Sequence, residues 1–170
     1  MIIKTERLSI HPFEDDDITA LCDILTNERV AQTYLLPDFK DDQAVFALAK
    51  RLQILSLTEN RYVAGIYKGD QLIGMINDVE MHGEKIEMGY VIHPNFWNCG
   101  YATEAFRGVI VCLFENGFSE VYTGAFESNL PSIRVMEKSG MKRMNSKAQI
   151  TYRGKNHSCV YYSIKKDRQI

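Results

Sequence analysis

Apolar and polar positions alternate loosely over residues 2–10, which predicts an opening strand. The run Glu14, Asp15, Asp16 and Asp17 then precedes Ile18, Leu21 and Leu25 at helical spacing. Anionic side chains complement the positive end of a helix dipole, so these acids read as a solvated first turn, and they lack the spacing of a calcium loop. Asp41 and Asp42 open a second helix, with Val45, Leu48, Leu52 and Leu55 on one stripe as far as about Thr58. Residues 34–39 form a loop between the two helices.

From Tyr62 the period changes to that of strands. Residues 62–67, 71–80 and 85–92 are short apolar or alternating runs, separated by Lys68-Gly69-Asp70 and His82-Gly83-Glu84, which read as hairpin turns. Helical spacing returns over 100–116, where Ala105, Val109, Cys112 and Leu113 share a stripe and Gly117 ends it. A strand over 121–126 follows. Then comes a helix capped by Asn129, with Pro131 in its first turn and Gly140 at its end, and finally strands near 141–152 and 158–165. The order predicts one mixed α/β (α+β) domain over 1–170, a central sheet with helices on both faces.

Composition narrows the function. The 170 residues are 45% apolar, enough to bury a core, and 20 Lys plus Arg against 22 Asp plus Glu leave a net charge of −2. Nucleic-acid binding through phosphate contacts needs a basic face that the sequence does not display. No run approaches the roughly 18 apolar residues of a membrane span, and residues 1–7 carry charges where a secretory leader turns apolar. The expectation is a cytoplasmic protein with neither nucleic acid nor membrane as partner. Cys22, Cys99, Cys112 and Cys159 are scattered, and His11, His82, His93 and His157 lack ligand spacing, so neither a disulfide framework nor a metal site is expected.

Residues 86–105 carry the chemistry. A strand, Ile86 to Ile92, meets a turn at His93-Pro94 and then Asn95-Phe96-Trp97-Asn98-Cys99-Gly100-Tyr101-Ala102-Thr103-Glu104-Ala105. A strand feeding a small-residue loop that opens a helix aims several backbone N–H groups at one spot, where an anion such as a pyrophosphate fits. Gly100 allows close approach, Ala102 keeps the same side clear, and Thr103 adds a hydroxyl donor. A glycine standing alone would more simply make the turn.

This one does not stand alone. The passage from Trp97 to Ala105 resembles the coenzyme-A loop of the GNAT superfamily of N-acetyltransferases, whose pattern is Gln or Arg, two residues, Gly, one residue, then Gly or Ala. Gly100 and Ala102 match, and Trp97 holds the first position, as is common in the branch that includes the ribosomal-protein N-terminal acetyltransferases (RimJ/RimL-like). Asn129-Leu130-Pro131-Ser132-Ile133-Arg134-Val135-Met136-Glu137-Lys138-Ser139-Gly140-Met141 is similar to the family's late helix, which flanks the pantetheine arm. Thr5-Glu6-Arg7-Leu8-Ser9-Ile10 is similar to the opening of that branch, so the resemblance covers essentially the whole chain.

The resemblance implies a mostly antiparallel mixed sheet of about seven strands, with the fourth and fifth, here 87–92 and 121–126, splayed around the pantetheine. It implies acetyl-CoA as co-substrate, no metal, and direct transfer to a primary amine in a ternary complex. Asn98, Cys99, Gly100, Tyr101, Ala102, Thr103, Asn129 and Ser132 would hold the coenzyme, and Val91 or Ile92 would offer a free N–H to the thioester carbonyl. A protein or peptide N-terminus is the leading acceptor. A small-molecule acceptor (polyamine, antibiotic or amino acid) and a non-catalytic acyl-CoA sensor are the alternatives, and the chain is a monomer or a homodimer.

An amine attacks a thioester only when deprotonated. Glu87 is the first candidate base, acting through a water; strand alternation does not say which face it occupies, so it is equally a surface carboxylate. His93 is the second candidate, or a turn residue beside Pro94. The family's usual acid, a Tyr seven residues after the Asn, is replaced here by Met136. Ser132 is the substitute the branch suggests, its hydroxyl hydrogen-bonding the thiolate, or else an ordinary first-turn residue. Asn129 caps its helix, bonds the pantetheine, or does both. Cys99 opens a covalent acetyl-cysteine route, which needs a base nearby. Trp97 and Phe96 pack under the loop, and Tyr34, Asp38, Phe39 and His93 are expected to line the acceptor site.

Overall fold

The computed structural model describes residues 1–167. Its strands are β1 (Ile3–Lys4), β2 (Ser9–His11), β3 (Ala64–Lys68), β4 (Gln71–His82), β5 (Lys85–Ile92), β6 (Glu120–Phe126), β7 (Lys142–Tyr152) and β8 (Lys155–Lys165). The helices are α1 (Ile18–Thr26), α2 (Glu28–Ala31), α3 (Asp42–Ser56), α4 (Tyr101–Glu115) and α5 (Leu130–Lys138). The strands form one sheet in the order β1-β2-β3-β4-β5-β6-β8-β7. Every pair is antiparallel except β5–β6, which runs parallel because α4 crosses over between them.

The sheet has eight strands, not about seven. The opening segment folds back on itself, with the Thr5 amide donating to the Leu8 carbonyl (2.9 Å), so that β1 pairs with β2. Helix α2 is too short to show periodicity; the Asn27 side chain caps it by accepting from the Arg29 amide (3.1 Å). The acidic run forms a single 3₁₀ turn, Asp15–Asp17. Contrary to expectation, Asp17 is buried: its Oδ2 accepts from the Glu14 amide (2.6 Å) and from the Tyr67 hydroxyl (2.5 Å), which stand in for water.

Both faces of the sheet are covered. Ala105, Phe106, Val109 and Leu113 of α4 pack on Ile66, Ile76, Ile86 and Met88. Leu21, Leu25, Val45 and Ala49 of α1 and α3 pack on Tyr67, Met75 and Val91. Burying each large aliphatic or aromatic side chain contributes about 1.5–3 kcal/mol. For β5, the two cores assign a direction to every residue: Ile86, Met88, Tyr90 and Ile92 face α4 and α5, while Glu87, Gly89 and Val91 face α1 and α3. Among the described residues, no helix is long and apolar enough to cross a membrane, and no group of three or more His, Cys, Asp or Glu is placed to hold a metal ion.

Candidate active site

Strand β5 is held to β4 as far as Ile92, opposite Gly74, and β6 is held to β8 as far as Phe126, opposite Cys159. Yet pairing between β5 and β6 stops at Glu87–Tyr122. Each strand follows its own half of the sheet, and beyond that pair the facing edges part. The His93 amide donates to the Ile73 carbonyl (2.8 Å) on the β4 side. Strand amides alternate in direction, so Gly89 and Val91 also face β4, while Tyr90 and Ile92 face the opening. The Ile92 carbonyl is taken by the Trp97 indole N–H (2.6 Å). Of Val91 and Ile92, register turns only the Ile92 amide toward the opening, and the Tyr90 amide points the same way.

The loop after β5 begins with a 3₁₀ turn, Pro94–Phe96. Asn98 (φ 61°) and Gly100 (φ 79°) take the left-handed conformation that those two residue types tolerate. The first bond of α4 runs from the Glu104 amide to the Gly100 carbonyl (3.1 Å), so the N–H groups of Tyr101, Ala102 and Thr103 precede the helical ladder. Two clamps hold this loop. At its start Trp97 is bonded to Ile92 and covered by the Arg29 guanidinium, 4.6 Å from its ring centroid. At its end Glu104 accepts from the Thr5 hydroxyl (2.6 Å), the Arg7 amide (2.8 Å) and Arg7 Nε (2.7 Å), and Arg7 Nη1 donates to the Cys99 carbonyl (3.1 Å). Burial by itself would push the Glu104 carboxyl up, but the bonds from Thr5 and Arg7 outweigh it and hold the group below the usual carboxylate range.

Two cavities flank the parted strands. The first, about 430 Å³, is lined by Tyr90, Val91, Ile92, Asn98, Gly100, Tyr101, Ala102 and Thr103 on one side and by Asn129, Ser132, Arg134 and Lys138 on the other. Free helix-start amides plus Arg134 and Lys138 form a donor set that fits a pyrophosphate. Within this cavity the Tyr90 hydroxyl lies 2.8 Å from Ser132 Oγ, and its ring packs at 4.8 Å on Phe106. Burial pushes the Tyr90 phenol up to about 12, with the Ser132 hydrogen bond acting the other way. Asn129 Oδ1 caps α5 by accepting from the Ser132 amide (3.2 Å). Met136 is fully buried in the α4-side core.

The second cavity, about 420 Å³, is lined by Asn77, Asp78, Glu87, Gly89, Gly124, Phe126, Ile150, Cys159 and Tyr161 among others. Thr33 and Tyr34 line both cavities. The Tyr34 hydroxyl donates to Asn77 Oδ1, and burial pushes its phenol well above the ordinary value. Glu87, half-buried, stands opposite Glu80 in the β4–β5 register. Burial, then the Glu80 charge, raises its carboxyl above the usual range.

The structure therefore gathers most of the residues that the sequence singles out. Val91, Ile92, Asn98, Gly100, Tyr101, Ala102, Thr103, Asn129 and Ser132 meet at the first cavity, Glu87 is on the second, and Tyr34 is on both. Four others fall outside. Cys99 is exposed, with Sγ 3.4 Å from the Trp97 carbonyl. His93 turns toward α1, with Nε2 3.2 Å from Asp23 Oδ2 and Nδ1 accepting from the Asn95 amide (3.2 Å). Asp38 is exposed near Arg153 (3.7 Å), and Phe39 packs against the α1–α3 core. Tyr90, Asn77, Thr33, Arg7, Arg134 and Lys138 join these walls and clamps without being singled out by the sequence. Arg7 had a signal in its place in the Thr5-Glu6-Arg7 opening, and Arg134 and Lys138 in theirs within the stretch from Asn129 to Met141.

A family profile described as an acetyltransferase (GNAT) domain matches residues 7–142. The uncharacterized N-acetyltransferase YnaD of Bacillus subtilis is 31% identical over 149 residues, covering 84% of this chain and 84% of YnaD. Among solved structures, a GNAT-family acetyltransferase from Bacillus anthracis superposes with a TM-score of 0.83 at 26% identity, covering 97% of this chain and 98% of that one. RimL, a ribosomal L7/L12 α-N-protein acetyltransferase solved with coenzyme A, superposes at 0.81 with 12% identity, covering 98% and 99%.

Proposed function

The chain belongs to the GNAT acetyltransferase family and is an acyl-CoA-dependent N-acetyltransferase, and from that premise we propose that acetyl-CoA occupies the first cavity and a protein or peptide N-terminus enters through the second. The observation that carries this reading is the pair of cavities meeting where β5 and β6 part, with Tyr34 on the wall of both. The likeness of shape to RimL supports the choice of acceptor.

On this reading the amides of Tyr101, Ala102 and Thr103 hold the pyrophosphate, with Arg134 and Lys138 supplying charge. The Tyr90 and Ile92 amides, aimed into the gap, polarise the thioester carbonyl and stabilise negative charge on its oxygen as the amine attacks. Glu87, kept basic by burial and by Glu80, accepts the amine proton through a water. Ser132 donates a hydrogen bond to the departing sulfur, at the helix where Met136 carries no proton and faces the core. A covalent route through Cys99 lacks support, since His93 is engaged by Asp23 and Asn95.

Calorimetric binding of coenzyme A, combined with thiol release from acetyl-CoA against a panel of N-terminal peptides, polyamines and amino acids, tests the proposal. Micromolar binding with release that depends on a peptide is expected. Release driven by a polyamine or amino acid alone would replace the acceptor, and binding without release from any amine would favour a sensor.

A further inference from the structure

Apart from the backbone amides, the reactive side of the first cavity holds a feature that the transfer chemistry above leaves unused. The Tyr90 hydroxyl stands 2.8 Å from Ser132 Oγ and 3.2 Å from the Ser132 carbonyl oxygen. That carbonyl can only accept. The two hydroxyls share two protons, which allows two arrangements. In one, Tyr90 donates to the carbonyl and Ser132 donates to Tyr90. In the other, Tyr90 donates to Ser132 Oγ, and the Ser132 proton is free to point into the cavity.

We propose that Tyr90 is a positioning residue that acts through Ser132, turning its own proton onto Ser132 Oγ so that the Ser132 hydroxyl is held toward the sulfur leaving from acetyl-CoA. The inference rests on the proposed contact between Ser132 and that sulfur. As the amine nitrogen bonds to the acetyl carbon, the C–S bond breaks and its electron pair moves to sulfur. Ser132 meets the new charge with a hydrogen bond, and Tyr90 supports Ser132 in turn. No proton crosses fully, because a phenol raised by burial is a weaker acid than a thiol. The sulfur takes its proton from water on release, and the amine proton leaves by the Glu87 side. The ring is locked for this duty by Phe106 at 4.8 Å, and its strand position aims it at α5. The pair replaces a proton-bearing side chain at Met136.

Tyr90→Phe keeps the ring and removes only the hydroxyl. Its kcat is expected to fall about 10- to 100-fold, the worth of one hydrogen bond to a charged group, with KM for acetyl-CoA within about twofold. Ser132→Ala should fall at least as far, and the double variant no further than the slower single one, since the two act as a unit. Binding supplies a readout independent of turnover. At about one pH unit above the roughly 8.5 of a free thiol, Tyr90→Phe should weaken coenzyme A binding several-fold and leave desulfo-coenzyme A binding unchanged.

If Ser132→Ala is slow and Tyr90→Phe is not, the role of Tyr90 is overturned and that of Ser132 stands. If Ser132→Ala is as fast as wild type, the Ser132 reading itself fails. Losses that multiply in the double variant, or equal weakening of desulfo-coenzyme A, would show separate or merely packing roles and overturn the relay.

Discussion

Glu87 shows how much one residue's environment decides. It is a strand residue set directly opposite Glu80, and like charges so placed repel. Half-burial adds a desolvation cost, so the carboxyl titrates above the ordinary 4.5. If it takes the amine proton, kcat rises with pH through that raised value, and Glu87→Gln slows transfer by about 10²-fold or more while flattening that limb. Stability runs the opposite way. A carboxyl whose folded pKa lies above its unfolded one favours folding below the unfolded value and loses that advantage as pH climbs through the folded value. At neutral pH the charge is therefore destabilising, and Glu87→Gln should melt slightly higher than wild type. A variant that melts lower and keeps the wild-type pH profile would remove Glu87 from the chemistry.

At the scale of elements, the loop into α4 depends on a contact that its own sequence does not contain. Glu104, in the first turn of the helix, is tied to Thr5 and Arg7 from the start of the chain, and Arg7 reaches back to the Cys99 carbonyl. Glu104 is held below its usual range, so its contribution is present above the unfolded value of 4.5 and is lost as pH falls through the folded value. Glu104→Gln is expected to lower Tm at pH 7 by about 2–4 °C, to lose that part of the acid sensitivity, and to weaken coenzyme A binding several-fold through a looser loop. Calorimetry on Glu104→Gln and wild type across pH checks this. An unchanged Tm with unchanged binding would mean that the loop keeps its shape without the tie.

At the scale of the whole molecule, the β7–β8 hairpin closes over the second cavity and is latched to the opposite side of the fold by Tyr152, with Arg153 of its turn pairing beside it with Glu28 (3.5 Å) and Asp38 (3.7 Å). The Tyr152 hydroxyl donates to the Ala31 carbonyl (2.9 Å) and accepts from the Leu36 amide (3.3 Å), on either side of Tyr34. It thereby joins Ile150, Cys159 and Tyr161 on one wall to Thr33 and Tyr34 on the other. Tyr152→Phe should raise KM for the acceptor about 3- to 10-fold, the worth of one partly exposed hydrogen bond, and leave coenzyme A binding intact. Hydrogen exchange should quicken over residues 33–36. Equal loss of coenzyme and acceptor binding would show that the latch supports the whole fold and not the acceptor wall.

Locally encoded features were legible in the sequence. Side-chain period, turn glycines and capping asparagines act over a few positions, so the bounds of β5 follow from the sequence to the residue, those of α4 to within a residue at each end, and Gly100 and Ala102 mark the loop. What tertiary structure alone decided depends on partners distant in the chain. Tyr67 buries Asp17 from 50 positions away, Glu104 meets Arg7 across 97, and Tyr90 meets Ser132 across 42. His93 was drawn off to Asp23 for the same reason. The face that Glu87 presents followed only once two helical cores had claimed opposite sides of its strand, since a period of two names the alternation and not its direction.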